Sequence, residues 1–332
     1  MKIWINPLNQ TPAADVNFQL PLEVWKRLPS IMPSVEFNQD KQRPADSDVQ
    51  LHLYNGAFDG TPPLYVFIDD VDDLVFPPKH WWPFKRRRKE ITDPVVHEAS
   101  GILVSHIHLA NAIRDHHSVA CPVHVIGHGL PSEVQAFLPA DSVTRRITKE
   151  VYGREKSFFL APTTGQKSDN LERLVKAYDL FRQQCPEEVR LLINGVEQAQ
   201  PKAVRKAVQA SPNRADITFL PELSEAEYWK VYSSARAILY PSLSTKFPVE
   251  ILKAWHAHVP IMAVDNDIMK GAGTLVQGED FKSMTEGMVS LVTTPFLASG
   301  IVENGKRRLG AFSWDKAAEA VAEVLRTADG RR

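Results

Sequence analysis

Cysteine is nearly absent from this chain of 332 residues: Cys121 and Cys185 stand alone, in unrelated contexts and without paired spacing. That excludes a disulfide framework and a cysteine-based structural zinc site. It points to a reducing compartment, so a cytoplasmic location is expected. Long apolar runs are absent too. No stretch approaches the ~18 apolar residues that a transmembrane helix needs, and the opening MKIWINPLNQ lacks the apolar core of a secretory signal. The chain is therefore expected not to span a membrane, which leaves peripheral contact on its inner face open. Charge of one sign is lacking: the net charge is −1, so no global field recruits nucleic acid, and none is expected as a partner. No glycine precedes Gly56, so the turn after the first strand has no glycine with which to bring backbone close to a ligand. There is no internal repeat and no low-complexity segment.

What is present is ordinary globular composition, 43% hydrophobic and 24% charged, over a length too great for one doubly wound sheet and right for two. Short apolar runs at 2–6, 48–54, 64–68, 101–105 and 123–127 read as strands, and a cleaner series follows at 157–161, 189–194, 216–220, 237–240 and 260–264. Amphipathic patterns fall between the later runs, at 170–184, 202–209, 225–235 and 249–258; in the first of these Leu171, Leu174, Val175, Tyr178 and Phe181 recur at helical spacing. Short buried strands separated by helices imply parallel βαβ units. The polar stretch 140–156 is the expected boundary, giving domains at 1–150 and 151–332 with a hinge near 150–156. A closing helix starts at Ser313 or Asp315 as cap; it continues through Ala317, Ala318, Val321 and Val324 and is expected to cross back from the second domain.

The second half carries a series of segments in a familiar order. They are Phe158-Phe159-Leu160 leading to Asn170-Leu171; Leu191-Leu192-Ile193-Asn194-Gly195; Ile217-Thr218-Phe219-Leu220-Pro221 with Leu223-Ser224-Glu225; Tyr232 through Tyr240-Pro241-Ser242; Phe247-Pro248 to Ala254; and Phe312-Ser313-Trp314. The first half adds looser parallels at Tyr65 to Asp70, Ser100 to Ser105 and Val123 to Gly129. The series resembles the GT-B glycosyltransferases, in particular the large retaining family, glycosyltransferase family 4-like, that includes sucrose and mannosyl transferases. The resemblance implies an α/β fold of two Rossmann-like domains facing across a cleft. The N-terminal domain would be the acceptor side and the C-terminal domain the nucleotide-sugar donor side. It further implies transfer of a sugar from a nucleotide-sugar donor to a glycan or lipid-linked acceptor in polysaccharide biosynthesis, with retention. No cofactor is expected beyond that co-substrate, and no metal.

Several positions depart from the family pattern. In the donor loop Thr163 stands where the family has glycine and Asp169 where it has a phosphate-binding lysine; Lys167 is the alternative cation, beside Thr164. A helix start attracts anions through its free N–H groups and dipole, although the same residues also suit a surface loop with Asp169 capping the next helix. The Glu-x7-Glu pair is replaced by Thr245 and Lys253, with Glu250 three residues before the latter. Either Glu250 reaches the donor ribose, or Lys246 and Lys253 face phosphate, or Glu250 and Lys253 form a surface ion pair of little consequence. Asn194, Gly195 and Ser242 complete the expected donor set. These departures also fit a second class of protein, a non-catalytic relative that binds or partners without turnover.

Outside the donor set, Asp69 and Asp70 open a run continuing to Asp72 and Asp73 at a strand's C-terminal end, where open α/β sheets bind ligands. They suit acceptor hydroxyls or general-base work, or a solvated turn. His106 and His128 also follow strands. His106, with Asp69 and Asp70, forms the expected catalytic set. His106-x-His108 is ligand-like in spacing, but no cysteine or acid completes a zinc set. Finally Trp81 and Trp82 precede a basic run containing Arg86, Arg87 and Arg88. Indole rings and cations suit a membrane interface or an anionic acceptor, or a packed Trp pair beside a solvated charge run.

Overall fold

The computed structural model describes residues 1–5, 19–38, 46–53, 63–69, 71, 99–116 and 119–329. The chain divides into two compact units. Unit 1 is Met1–Leu130 with Thr245–Phe247 and Phe312–Arg332, and unit 2 is Pro131–Ser244 with Pro248–Ala311.

Unit 1 is built on a six-stranded sheet of β1 (Lys2–Ile5), β2 (Glu36–Asn38), β3 (Val49–Leu53), β4 (Leu64–Ile68), β5 (Gly101–Val104) and β6 (Val123–Val125), in the order β2-β1-β3-β4-β5-β6. Every pairing is parallel. In β4 all five residues of Leu-Tyr-Val-Phe-Ile are buried, as a strand covered on both faces requires. The closing helix Trp314–Asp329 belongs to this unit: Ala317, Ala318, Val321, Ala322 and Leu325 share one core with Leu20, Val24 and Leu28 of the helix Gln19–Ile31. Of the two expected caps, Ser313 is the one used, its Oγ accepting from the Asp315 N–H at 3.2 Å. Asp315 turns outward to pair with Arg27 at 2.8 Å.

Unit 2 has β7 (Ser157–Ala161), β8 (Val189–Ile193), β9 (Ile217–Phe219), β10 (Ala237–Tyr240), β11 (Ile261–Val264) and β12 (Thr274–Val276), all parallel, in the order β12-β11-β10-β7-β8-β9. The chain lays β7, β8 and β9 outward in one direction, then returns to place β10, β11 and β12 on the other side of β7. The reversal puts a topological switch point between β7 and β10, where sheets of this kind open a crevice beyond the strands' carboxyl ends. One charged residue is buried inside the sheet. Arg190 of β8 is 2% exposed and gives its guanidinium to Tyr152 O at 2.9 Å and Thr218 Oγ1 at 2.7 Å.

The polar stretch 140–156, expected to be the domain boundary, contains a helix, Ser142–Val151, capped by Asp141. It packs on the helix Glu225–Ser234 inside unit 2. The expected hinge near 150–156 is likewise internal to unit 2. Arg154 and Glu155 take left-handed backbone there, and Glu155 N and Lys156 N donate to Lys149 O and Gly153 O, each at 3.0 Å. The units divide at Leu130 and Pro131 instead.

Among the described residues no single helix is long and apolar enough to cross a bilayer. The bent pair Phe281–Thr293 and Pro295–Leu309 has the apolar length, but its Met284, Met288 and Leu291 are fully buried in the unit 2 core. Packing between the second of these helices and Trp255 is tight. A Cβ at Gly305 would lie 2.2 Å from Trp255 Cδ1, and the indole is held in place by its Nε1–H bond to Ala272 O at 2.8 Å. Gly305→Ala is expected to destabilise the protein by about 2 kcal/mol or more through overpacking; an unchanged urea midpoint would refute this contact.

Candidate functional site

The loop between β7 and the helix Leu171–Gln184 is organised by one carboxylate. Asp169, 6% exposed, accepts at Oδ2 from Thr163 Oγ1 (2.5 Å), Thr164 N (2.8 Å) and Gln166 N (3.0 Å), and at Oδ1 from Thr164 Oγ1 (3.1 Å). Thr163 Oγ1 in turn accepts from Gly165 N at 2.9 Å. The alternative reading, a surface loop with Asp169 capping the next helix, is therefore set aside. Asp169 is buried, it gathers the loop's own donors, and the residue at the head of Leu171–Gln184 is Asn170, with no side-chain cap. Carboxylate oxygens occupy the position to which loop amides and hydroxyls converge, the kind of cradle that binds an anion elsewhere.

Asn170 fixes this loop across the switch point. It adopts left-handed backbone, with φ of 62°, and its Nδ2 donates to Pro241 O at 3.1 Å and Gly278 O at 2.6 Å. Next to it, Ser168 O accepts from Leu243 N at 2.8 Å and from Ser242 Oγ at 3.4 Å. The end of β10 and the loop after β7 are thus joined by backbone and side chain. Ser242 lies at this join, with Lys167 exposed in the short turn Lys167–Asp169; the Lys167 ammonium makes no ion pair among the described residues. Asn194 and Gly195 follow β8 on the other side of β7. Asn194 N bonds Ala161 O at 3.0 Å, its carbonyl accepts from Gln200 Nε2 at 3.1 Å, and Gly195 has φ of 81°.

Glu250 opens the helix Val249–His256 that follows β10. Its Oε1 meets Lys253 Nζ at 2.8 Å with the two side chains 13% and 20% exposed, so the pair is largely buried and is not the surface ion pair of the alternative reading. Lys253 is committed to Glu250. The second oxygen, Oε2, is buried without a hydrogen-bond partner, and such an acceptor is costly unless something donates to it. The same residue's carbonyl accepts from Tyr232 OH at 3.0 Å. Burial raises the Tyr228 and Tyr232 phenols well above their usual range, and the nearby Glu250 carboxylate adds to the effect. Both phenols therefore remain protonated donors.

The remaining sites lie in unit 1. Thr245 and Lys246 group there rather than with the donor loop, and Thr245 Oγ1 accepts from Val71 N at 2.9 Å. Asp69 follows β4 directly and is half-buried. His106 follows β5 and is 7% exposed. Its ring meets Phe247 edge-on at 5.6 Å, while His128, equally buried, stacks on the same Phe247 at 4.2 Å and tilts against Trp314 at 4.4 Å. His128 Nδ1–H donates to Gly129 O at 2.7 Å. Burial, with His108 and His128 nearby, lowers His106 to about 3, and burial lowers His128 to about 4. A base that weak does not take a proton efficiently near neutral pH, so His106 is a neutral hydrogen-bonding group, with Nδ1 at 2.9 Å from Ser105 Oγ. Asp70, Asp72, Asp73, Trp81, Trp82, Arg86, Arg87 and Arg88 lie outside the described residues. Cys121 and Cys185 are both free thiols. Among the described residues no group of three His, Cys, Asp or Glu side chains could hold a metal ion.

Two parallel doubly wound sheets, with this loop at the second one's switch point, define the chain as an α/β protein of the GT-B fold. The same fold occurs in sucrose-phosphate synthase from Thermosynechococcus elongatus, with TM-score 0.69 and 17% identity over 98% of this chain and 82% of that one. It occurs also in HepE from Anabaena in complex with UDP and glucose, with TM-score 0.67 and 12% identity over 98% and 100%. Residues 155–294 match the family model described as "Glycosyl transferases group 1". In sequence the chain is similar to a D-inositol 3-phosphate glycosyltransferase of Rhodococcus erythropolis, 26% identical over 141 residues. That match covers 41% of this chain and 32% of the relative's length.

Proposed function

We propose that the protein is a glycosyltransferase that moves a sugar, with retention, from a nucleotide-sugar donor to a glycan or lipid-linked acceptor. Unit 2 holds the donor at the switch point between β7 and β10. The observation that carries this reading is the join of the two strand ends through Ser168, Leu243 and Ser242, beside the exposed Lys167 and followed by Glu250 with its orphaned Oε2. Because Asp169 fills the amide cradle, Lys167 supplies the positive charge for the diphosphate, and Glu250 Oε2 accepts from a ribose or sugar hydroxyl. Asp69 handles the acceptor, with His106 as a neutral partner. Catalysis in such a site is electrostatic stabilisation and positioning of the leaving diphosphate. The group 1 family match and the UDP and glucose complex of a similar fold support the donor class.

Calorimetry with UDP, GDP, ADP and their common sugar derivatives is the direct test, and micromolar binding of one nucleotide is expected. Lys167→Ala and Glu250→Gln are each expected to weaken that binding about tenfold, near 1.4 kcal/mol. Unchanged affinity in both variants would remove the site assignment. Binding without turnover of any sugar derivative would instead place the chain among non-catalytic relatives.

A further inference from the structure

A concavity in unit 2 lies at the opposite edge of the sheet from the proposed donor site. Its volume is about 440 Å³, within the range that encloses a small organic molecule. Ser157 is the first residue of β7, Arg236 immediately precedes β10, and Pro260 immediately precedes β11. The cavity therefore sits at the N-terminal ends of three adjacent strands, about one strand length, roughly 15 Å, from their carboxyl ends. Arg145 and Lys149 reach it from one face of the helix Ser142–Val151, four residues apart.

The charge in this cavity is unbalanced. Arg145, Lys149 and Arg236 make no ion pair among the described residues. The single acid in the lining, Glu303, is already engaged with Lys306 Nζ at 3.0 Å. Arg145 spends Nε on Ala140 O (3.0 Å) and Arg236 spends Nη2 on Val292 O (3.1 Å), both neutral acceptors. Arg236 Nε and Ser234 Oγ are buried with no hydrogen-bond partner. Burial lowers the Arg145 guanidinium from its usual range, with no carboxylate opposing the shift. Cations gathered in a concavity repel one another, and orphaned buried donors add to the cost. A dianion with several acceptor oxygens relieves both, and guanidinium forks match phosphate geometry.

We propose that this cavity binds the phosphate group of a small phosphomonoester, as a second ligand site remote from the donor crevice. Arg145, Lys149 and Arg236 neutralise the phosphate, and Ser234 donates to one of its oxygens. Phe296, 90% exposed, stands on the same helix as the lining residues Ala298 and Ser299. The phosphomonoester is free in solution or is the headgroup of a lipid, the exposed Phe296 being the feature that would suit the second source.

Two arms separate these sources. Glycerol 3-phosphate and glycerol are titrated calorimetrically into the full chain, and phosphatidylcholine vesicles with and without phosphatidic acid are tested by flotation. Binding in at least one phosphate-bearing arm and not in its phosphate-free control is expected. Arg145→Gln and Arg236→Gln should each weaken it about tenfold, and Glu303→Gln should tighten it. Lys149 is exposed, so Lys149→Ala keeps the test open if Arg236→Gln fails to fold; it too should weaken binding several-fold. Lys167→Ala, at the other edge of the sheet, should leave it unchanged. No binding in either arm at millimolar ligand would overturn the proposal, as would binding that all three cation variants leave intact.

Discussion

Asp169→Ala is expected to destabilise unit 2 by about 3 kcal/mol, a large effect for a polar side chain in a loop. The expectation follows from how many donors the carboxylate satisfies. Removing it strands Thr163 Oγ1, Thr164 N and Gln166 N. A buried donor left unpaired costs roughly 1–3 kcal/mol, somewhat less where the loosened loop lets water in. Hydrogen exchange gives the specific readout. The amides of Thr164 and Gln166 should lose protection in the variant, while those of β8 keep theirs relative to global stability. Asp169→Asn retains one oxygen and places an NH2 against the remaining donors, so it should fall between alanine and wild type. Added formate should restore part of the loss in Asp169→Ala and none in wild type. Unaltered protection of Thr164 and Gln166 in Asp169→Ala would mean that the carboxylate does not organise the loop.

This same residue marks where sequence stops being informative. The strands were legible because each is a short apolar run between turn residues. The expected runs at 64–68, 157–161 and 237–240 coincide with β4, β7 and β10 to the residue. The edge strands β2 and β12 were not, because Glu-Phe-Asn and Thr-Leu-Val carry too few buried positions to make a pattern. The helix Ser142–Val151 escaped for a different reason: its apolar residues Val143, Ile147 and Val151 are exposed, so its polar, charged stretch read as a domain boundary. In the candidate site the donor-loop segment, Ser242 and Glu250 were singled out only through the family resemblance. The direction of the Asp169 side chain was not legible at all. It depends on the left-handed backbone of Asn170 and on bonds from Asn170 to Pro241 and Gly278, far along the chain. The aromatic setting of His106 and His128 was hidden likewise, because Phe247 and Trp314 come from distant segments.

That setting leads to the second large effect, a loss of unit 1 stability in mild acid. His106 and His128 are neutral when folded, at about 3 and about 4, against an ordinary 6.5 in the unfolded chain. Between these limits the unfolded state binds more protons than the folded state, so stability rises with pH. The contribution of each histidine is complete above about pH 6.5 and is lost progressively as the pH falls toward the folded values. Near pH 4.5 the loss is roughly 2–3 kcal/mol for each ring, at about 1.4 kcal/mol per tenfold change in proton affinity. Urea titrations between pH 7.5 and 4.5, followed by near-ultraviolet circular dichroism of the cluster around Phe247 and Trp314, measure it. Carboxylates also titrate in this range, so the decisive quantity is the difference in pH slope between wild type and the double variant His106→Gln, His128→Phe. The variant is expected to be less stable at pH 7.5, because it loses fitted ring contacts, yet to lose distinctly less between pH 6.5 and 4.5. Equal slopes would mean that the two imidazoles are protonated within the fold, and that the stack of His128 on Phe247 tolerates a charge. His106 would then regain the basicity that its burial removes, and with it a proton-transfer role beside Asp69.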